Sequence, residues 1–113
     1  PLVRRVVEDI VKYYRVLLDV QREYQNAIGL GPSDVLEEIR DRRQQIMNRL
    51  NDFAEELQSI GCEIKDYELG LVDFPSVMGG REIYLCWKLG EDAIGFWHEV
   101  YTGYASRQPL PRI

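Results

Sequence analysis

The side chains best suited to chemistry are concentrated in the second half of the sequence. Residues 80–100, GREIYLCWKLGEDAIGFWHEV, hold both tryptophans, one of the two cysteines, the only histidine and four acidic residues. Carboxylates, an imidazole, a thiol and a guanidinium gathered in one place can bind and orient a polar ligand. We therefore expect five side chains to converge on one ligand-binding site: Asp73, Cys86, Glu91, His98 and Arg107.

Nucleophilic catalysis is one chemistry that this set could perform. A catalytic cysteine needs its thiol within hydrogen-bond reach of the histidine. Cys86 and His98 are far enough apart in sequence to meet in space. A helix N-terminus makes a thiol reactive because it lowers the pKa of the thiol. Cys86, however, lies inside a predicted strand, away from any helix N-terminus. A buried and unreactive cysteine is favoured, so no catalytic residue is assigned.

A metal centre would need three or four ligands from the same set. The sequence has no HExxH motif. One face of the predicted hairpin presents Asp73, Glu82 and Tyr84, and His98 and Glu91 are the nearest further ligands along the chain. A carboxylate-rich site of this kind would suit manganese, iron or magnesium better than zinc. The alternative is structural: His98 donates to a backbone carbonyl, and Arg81 or Arg107 pairs with Asp73. The structural alternative is favoured, and no metal ligand is assigned.

A pair of strands joined by a double glycine would position the first half of this site. LVDFPSV and REIYLCW flank MGG, whose glycines supply the positive φ angles of a tight hairpin turn. Pairing Met78 with Arg81 creates a β-hairpin over residues 71–87 with Asp73 opposite Cys86. The same register gathers an apolar face that should pack on helices: Val72, Phe74, Ser76, Ile83, Leu85 and Trp87. The MGG run lacks the strand–loop–helix context of a phosphate-binding loop, so no cofactor is indicated.

A short C-terminal helix beginning at Glu91 is expected to position the second half. Acidic residues suit the first turn of a helix because they complement its dipole. The buried side of this helix would be Ala93, Ile94 and Trp97. The helix would carry His98 to the site, and Arg107 follows with enough chain to return and neutralise the acids.

Residues 1–60 carry a helical period instead. Positions three and four residues apart form two seams that are almost entirely apolar. The seams are Val3, Val7, Ile10, Tyr14, Leu17, Gln21, Tyr24 and Ile28, and Leu36, Ile39, Arg43, Ile46, Leu50, Phe53, Leu57 and Ile60. The short connection GLGPS, residues 29–33, implies an antiparallel helical hairpin with a coiled-coil seam. The first helix is apolar on more sides than one partner helix can cover, so we expect a homodimer through the hairpin.

Arg43 interrupts the second seam. Its aliphatic stem could lie along the seam with the guanidinium in solvent. Alternatively, it could pair across a dimer interface or bind a ligand anion.

Length and composition set the class of protein. With 113 residues, 45% of them hydrophobic and 29% charged, the chain can build one modest core. We expect a single α+β domain over 1–113, consisting of the helical hairpin (1–60) and a β-rich cap (61–113) with a small antiparallel sheet. The net charge of −5 disfavours nucleic-acid binding. Pro1 already lies in the periodic segment, so we expect further residues to precede it.

The cellular setting follows from what the sequence carries. It has no apolar run that would span a membrane, and its two cysteines lie in no metal-binding spacing. We expect a cytoplasmic protein without membrane partners.

The residues after Gly61 also resemble a known family. GCEIKDYELGLVDFP, GREIYLCWKLGE, WHE and GYASRQPL are similar to the bacterial family catalogued as domain of unknown function 2203, and PLVRRVVEDI resembles the start of its first helix. The matching positions are Asp66, Gly70, Val72, Asp73, Phe74, Gly80, Arg81, Cys86, Trp87, Gly90, Glu91, Trp97, His98, Gly103 and Arg107. Tyr104 stands where members more often have phenylalanine. The resemblance implies the fold and a bacterial cytosolic setting, but no activity.

Two classes of function follow, with a catalytic site as a third. The first is a self-associating interaction or scaffold module, in which the hairpin dimerises and the cap presents a surface. The alternative is a small-ligand or divalent-metal-binding domain with its site near Asp73, Glu91 and His98.

Overall fold

The computed structural model describes residues 2–29 and 33–111. It has the α+β architecture expected from the sequence, a hairpin of two long helices packed against a five-stranded antiparallel sheet. The elements are α1 (Leu2–Ala27), α2 (Ser33–Ile60), β1 (Glu63–Asp66), β2 (Leu71–Met78), β3 (Arg81–Lys88), β4 (Phe96–Glu99), a 3₁₀ turn (Tyr104–Ser106) and β5 (Gln108–Pro109). Residues 30–32 of the predicted GLGPS connection lie outside the described residues. Neither helix, over the ranges described, is long and apolar enough to cross a membrane.

The core lies where the base of the helical hairpin meets the sheet. Ile10 and Leu57 are fully buried on α1 and α2, and Val72 is fully buried on the sheet. The buried members of this core cluster are Val6, Val7, Ile10, Val11, Leu17, Leu50, Phe53, Leu57, Cys62, Val72 and Trp87. Because most of them come from the two predicted seams and the predicted apolar face of the sheet, those patterns describe the core well.

Beyond the sheet, the hairpin continues as an arm. The molecule measures 62 × 25 × 23 Å, and its radius of gyration of 17.8 Å exceeds the value of about 13 Å expected for a compact domain of this size. Within the arm, the ring of Tyr24 on α1 contacts the guanidinium groups of Arg40 and Arg43 on α2, at 5.6 and 5.2 Å. Arg43 therefore stacks on an aromatic ring between the helices.

The sheet is a meander with strand order β1-β2-β3-β4-β5. The predicted register is confirmed, since Met78 pairs with Arg81 and Asp73 pairs with Cys86. Gly79 and Gly80 make the turn with φ angles of +60° and +77°, which favour glycine. This register fixes which side chains share a face, and it places Asp73 and Cys86 side by side.

Pro75 occupies a position in β2 where no backbone N–H is needed for pairing with β1. It pairs with Tyr84 on β3, while β1 pairs with β2 only from Leu71 to Asp73. From Phe74 onward β2 is therefore an edge strand on its β1 side, where a residue without an N–H is tolerated.

The predicted helix at Glu91 is wrong. Residues 91–95 form bends and irregular chain, and Trp97 and His98 lie in β4, which pairs with β3. Gly95 weakens a helix at this point, and pairing with β3 lets neighbouring residues face opposite sides, so that Trp97 and His98 are both buried. The only helical turn in the described C-terminal region is the 3₁₀ turn Tyr104–Ser106.

Candidate functional site

A buried hydrogen-bonded pair, Asp73 and His98, lies at the centre of the sheet face that points away from the helices. His98 Nε2 lies 3.0 Å from Asp73 Oδ2, and the two side chains are only 3% and 5% exposed. Asp73 is on β2 and His98 is on β4, where it pairs with Tyr84. The rings of Tyr84 and His98 lie 5.5 Å apart and tilted by 39°. Three neighbouring strands therefore hold the pair.

The hydrogen bonds of this pair show how many protons its two side chains carry. His98 Nδ1 lies 2.8 Å from the carbonyl oxygen of Glu99. A carbonyl oxygen can only accept, so Nδ1 carries a proton and donates it. The short contact between Nε2 and Asp73 Oδ2 then requires one further proton, on either the imidazole or the carboxyl group. With that proton the Asp73–His98 pair is electrically neutral overall.

One atom of the pair has no partner. Among the described residues, Asp73 Oδ1 is the one buried side-chain oxygen or nitrogen without a hydrogen bond. Burying such an atom without a hydrogen bond lowers the stability of the fold by about 1–3 kcal/mol. The atom has less than 1 Å² of accessible surface, so a donor from outside the chain could reach it only if the surrounding side chains moved.

A cavity of about 380 Å³ lies beside the pair. Its volume is within the range of small-molecule sites. Both members of the pair line it, together with residues from β1, β2, β3 and the segment after β4. The lining residues are Lys65, Asp66, Leu71, Asp73, Tyr84, His98, Val100, Thr102, Gly103 and Tyr104.

An ion pair between Glu91 and Arg107 closes the neighbouring part of this face. Arg107 Nη2 and Nη1 donate to Glu91 Oε2 and Oε1 at 2.9 and 3.2 Å. The backbone N–H of Lys88 donates to Glu91 Oε1 at 2.7 Å. Burial alone would raise the pKa of Glu91, but these hydrogen bonds and the charge of Arg107 together hold that pKa below its usual range. Arg107 therefore neutralises Glu91, not Asp73.

The guanidinium of Arg107 is also enclosed by aromatic rings. It lies 3.8 Å from the ring centre of Phe96 and 4.5 Å from that of Tyr104. This stacking and the two-pronged bond to Glu91 attach the C-terminal segment to the sheet. The attached segment includes Gly103 and Tyr104, which form part of the cavity wall.

Cys86 lies between the Asp73–His98 pair and the Glu91–Arg107 ion pair and is fully buried. Burial raises the pKa of its thiol, and the weak hydrogen bond from Arg107 Nη1, at 3.9 Å, only partly opposes this. Its hydrogen-bond partner is Arg107 and not His98. Because a thiol with a raised pKa is a poor nucleophile, the arrangement is that of a buried structural cysteine.

The five predicted site residues thus meet on one face of the sheet. Asp73 and His98 form one pair, Glu91 and Arg107 form the other, and Cys86 lies beside both. Only Asp73 and His98 line the cavity. The structural alternative was right that His98 donates to a backbone carbonyl. It was wrong about the arginines, because Arg81 pairs with Glu99 at 3.0 Å and Arg107 pairs with Glu91.

Some residues of the cavity were not assigned from the sequence. Tyr84 lies two positions before Cys86 on β3, so the predicted register already places it on this face. Lys65 lies on β1, whose pairing with β2 the hairpin register does not give. Tyr104 lies in the segment after β4. The sequence of that segment does not indicate where it packs against the sheet.

The arrangement does not resemble a metal centre. Both ring nitrogens of His98 are occupied, by Glu99 and Asp73. Within residues 2–29 and 33–111, no group of three or more His, Cys, Asp or Glu side chains could hold a metal ion. The metal version of the expected site therefore finds no support in the geometry.

A larger cavity, of about 500 Å³, lies on the helix side of the sheet. Its lining is mostly apolar and includes Val3, Phe74, Trp87 and Ile94. Arg4 at its rim already donates to the carbonyl oxygens of residues 91 and 92. Of the two cavities, only the smaller one is lined by the buried Asp73–His98 pair, so we place the candidate site there.

Three comparisons with known proteins complete this description. The model of a family described as "Uncharacterized conserved protein (DUF2203)" matches residues 1–110. A search of curated proteins and a search of solved structures each gave no match. The family match extends over both the helical hairpin and the sheet.

Proposed function

Because the chain belongs to the DUF2203 family of uncharacterized conserved proteins, whose description states no activity, we propose its function from the geometry: it is a small-ligand-binding domain. The ligand occupies the cavity beside the Asp73–His98 pair. The cytoplasm is the proposed location, since the two cysteines are unpaired and suit a reducing compartment.

The observation that carries this proposal is a cavity of about 380 Å³ whose wall includes the buried Asp73–His98 pair. The lining adds the polar side chains of Lys65, Tyr84 and Tyr104, which can bind the polar groups of a ligand. The larger cavity is lined mostly by apolar side chains.

The surroundings support a site that is formed before the ligand arrives. Asp73, Tyr84 and His98 lie on three paired strands, and His98 is fixed at both ring nitrogens. Side chains held in this way lose little conformational entropy on binding. The rest of the cavity wall, residues 102–104, follows β4. The bonds of Arg107 to Glu91 hold this segment against the sheet.

The test is a thermal-shift screen over common metabolites with the full chain and a variant whose cavity is blocked. Gly103 lines the cavity, has an extended backbone conformation, and has no atom within 4 Å of the position that a Cβ would take. Gly103→Leu should therefore fold and fill part of the cavity. The matched control is Gly95→Leu, at a glycine that is equally unhindered but does not line the cavity.

We expect a metabolite to raise Tm for the unchanged chain and for Gly95→Leu, and to have no effect on Gly103→Leu. A ligand present at about 100 times its Kd would stabilise the fold by about 2.7 kcal/mol. A screen in which no compound shifts Tm, or in which a compound shifts all three proteins equally, would count against a ligand site here.

Self-association through the arm is a second candidate function. Leu18 lies seven residues, about two helical turns, beyond Val11, so the two share a side of α1. Val11 packs close to Gly70 in the cap, whereas Leu18 lies farther along the arm and is 38% exposed. The apolar side of α1 thus continues beyond the sheet. A second copy of the arm would cover it, which would make the protein a homodimer.

Sedimentation velocity at micromolar concentration tests this second proposal. We expect a dimer for the unchanged chain and a monomer for Leu18→Glu. The control is Val77→Glu, because Val77 is 67% exposed on β2 and outside the arm. A monomer for the unchanged chain would rule out a stable homodimer.

A further inference from the structure

We propose that the larger cavity, on the helix side of the sheet, binds an α-amino acid with a large apolar side chain, such as phenylalanine or leucine. The apolar side chain of the ligand lies in the cavity, its carboxylate meets Arg4, and its ammonium group meets Asp92. This cavity is separate from the one beside Asp73 and His98, so the proposal does not depend on the proposed function.

The wall of the larger cavity offers an accessible apolar surface. The cavity measures about 500 Å³, which is within the range of small-molecule sites. Val3 and Phe74 are only half-buried and Ile94 is 37% exposed, so part of each side chain still contacts solvent. Removing such surface from water is favourable in proportion to its area. The wall therefore favours a ligand with several apolar carbon atoms. The apolar lining residues are Val3, Phe74, Trp87, Ala93 and Ile94.

The polar atom of Trp87 is already used within the protein. Its indole Nε1–H donates to the carbonyl oxygen of Glu91 at 3.0 Å. An indole has no other polar hydrogen, so the ring needs no further partner from a ligand. Trp87 therefore contributes an oriented aromatic surface to the wall.

One end of the cavity carries the guanidinium group of Arg4. Nη2 donates to the carbonyl oxygens of Glu91 and Asp92 at 3.4 and 3.1 Å, and the central carbon lies 6.0 Å from the ring centre of Trp87. Within residues 2–29 and 33–111, Arg4 forms no ion pair, and its Nη1 and Nε atoms make no hydrogen bond. A guanidinium with unused N–H groups is a suitable partner for a carboxylate.

The lining also carries one carboxylate, that of Asp92. Among the described residues, this exposed side chain forms no ion pair. A purely anionic ligand would be attracted by Arg4 and repelled by Asp92, and a purely cationic ligand would meet the reverse. A zwitterion instead places a charge of opposite sign beside each side chain.

The position of Arg4 also fits the short distance between the two charged groups of an α-amino acid. Nη2 of Arg4 contacts the backbone carbonyl oxygen of Asp92 itself, so the guanidinium lies beside the residue that bears the carboxylate. One ligand carbon carrying both an ammonium and a carboxylate group can therefore meet both side chains.

Two further carboxylates near this end of the cavity do not change the charge balance. Glu91 is held by Arg107 and by the backbone N–H of Lys88. Glu8 lies one helical turn beyond Arg4 on α1, and it forms no ion pair with Arg4 in the part of the chain that the structure describes. Neither residue lines the larger cavity.

Chemical-shift titration of the ¹⁵N-labelled chain tests the proposal. The probes are L-phenylalanine and L-leucine, together with 3-phenylpropanoate, which lacks the ammonium group, phenethylamine, which lacks the carboxylate, and glycine, which lacks the apolar side chain. We expect both apolar amino acids to shift the backbone signals of Val3, Phe74 and Ile94 and the indole N–H signal of Trp87, with Kd values on the order of millimolar. The two truncated aromatic probes should bind about two- to fivefold more weakly than phenylalanine, as expected for the loss of one exposed charge pair. Glycine should leave these signals unchanged.

Two charge variants test which group of the ligand meets which side chain. In Arg4→Gln, phenylalanine should lose its advantage over phenethylamine, because the partner of the carboxylate is gone. In Asp92→Asn, it should lose its advantage over 3-phenylpropanoate. The control is Arg5→Gln, which removes the same charge from a neighbouring exposed arginine outside the cavity and should keep both advantages.

A pair of alanine variants tests the place of binding. Ala93 lines the cavity and is exposed, so Ala93→Leu should fold, narrow the cavity and weaken the binding of phenylalanine. Ala105→Leu adds the same group at an exposed alanine outside the cavity and should bind phenylalanine as the unchanged chain does. The spectrum of each variant without probe shows whether it is folded.

Three outcomes would overturn the proposal. Tighter binding of 3-phenylpropanoate or phenethylamine than of phenylalanine would show that the ligand carries a single charge. Movement of the same signals with protein concentration, in the absence of any probe, would show that a second copy of the chain covers the cavity. Failure of both apolar amino acids to shift these signals would show that the cavity does not bind them. None of these results bears on the smaller cavity, whose ligand is tested with Gly103→Leu.

Discussion

Asp73 and His98 form a hydrogen-bonded pair across a strand to which neither residue belongs. Asp73 lies on β2 and His98 on β4, and β3 runs between these two strands. The pair passes over β3 between Tyr84, which is opposite His98, and Cys86, which is opposite Asp73. It therefore links two strands that share no backbone hydrogen bonds, and it holds the floor of the candidate cavity.

Removing the imidazole should destabilise the protein strongly. In His98→Ala, Asp73 remains buried without its partner, which should cost about 3–5 kcal/mol of unfolding free energy in urea titrations. The double variant Asp73→Asn with His98→Ala should recover part of this loss, because a neutral amide is cheaper to bury unpaired than a carboxylate. Tyr101→Ala, at a nearby residue that is 86% exposed, is the control. A loss below about 1 kcal/mol for His98→Ala would contradict the buried pair.

Adding one methyl group at Gly70 should also be costly. Gly70 has φ +70°, and a Cβ there would lie 2.9 Å from side-chain atoms of both Val7 and Leu89. Gly70→Ala should lose about 2–5 kcal/mol, the sum of a left-handed backbone and an overpacked core. Gly29→Ala has nearly the same φ, +75°, but open space around it, so thermal unfolding should show only about 1–2 kcal/mol. Equal losses in the two variants would show that helix α1 does not pack closely on Gly70.

Acid should weaken the protein partly through Glu91. Burial opposes ionisation of this carboxyl, but Arg107 and the backbone of Lys88 outweigh it and lower the pKa in the folded state. The unfolded chain therefore binds the proton more tightly. The stabilisation is complete above the unfolded pKa of about 4.3 and is lost as pH falls through the lower folded pKa. Glu91→Gln should flatten the fall in stability below about pH 5, as measured by urea unfolding from pH 3 to 7. An unchanged pH profile would contradict this account.

The cysteines should react slowly with thiol reagents in the folded protein. Burial raises the pKa of both Cys86 and Cys62, so little thiolate is present at neutral pH. Cys86 can be labelled only when the C-terminal segment opens, and this opening breaks the charged hydrogen bonds between Arg107 and Glu91. Arg107→Ala lacks these bonds, so the segment should open more often and the labelling of Cys86 should be about 10–100-fold faster. Cys62 is the internal control. Mass spectrometry showing equal acceleration at both cysteines would indicate global unfolding instead of local release.

The local patterns of the sequence predicted most of the fold. The two helical seams, the change of period near Gly61 and the glycine pair at 79–80 lead directly to the helical hairpin and the register of β2 with β3. These features depend on residues close together in the chain. For the same reason Asp73 could be placed next to Cys86 from the sequence alone.

The segment after Lys88 was harder because its structure depends on distant residues. Glu91 suits the first turn of a helix, yet here its carboxylate accepts from the N–H of Lys88 and from Arg107, sixteen residues later. Trp97 and His98 could belong to a helix or a strand of this length, and the pairing with β3 decides between them. The hydrogen bonds between side chains of the site could not be derived from the sequence, because they depend on where this segment packs against the sheet.

The open ends of the meander bear on how the protein behaves at high concentration. A sheet with two free edges can recruit a strand from another molecule and begin aggregation. β1 is short, has a register shift between Ile64 and Asp66, and carries Lys65, while β5 is two residues long and includes Pro109, which has no N–H to offer. Both outer strands are thus poor templates for strand addition. The part of β2 that extends beyond β1 contains Pro75, which offers no N–H to an added strand.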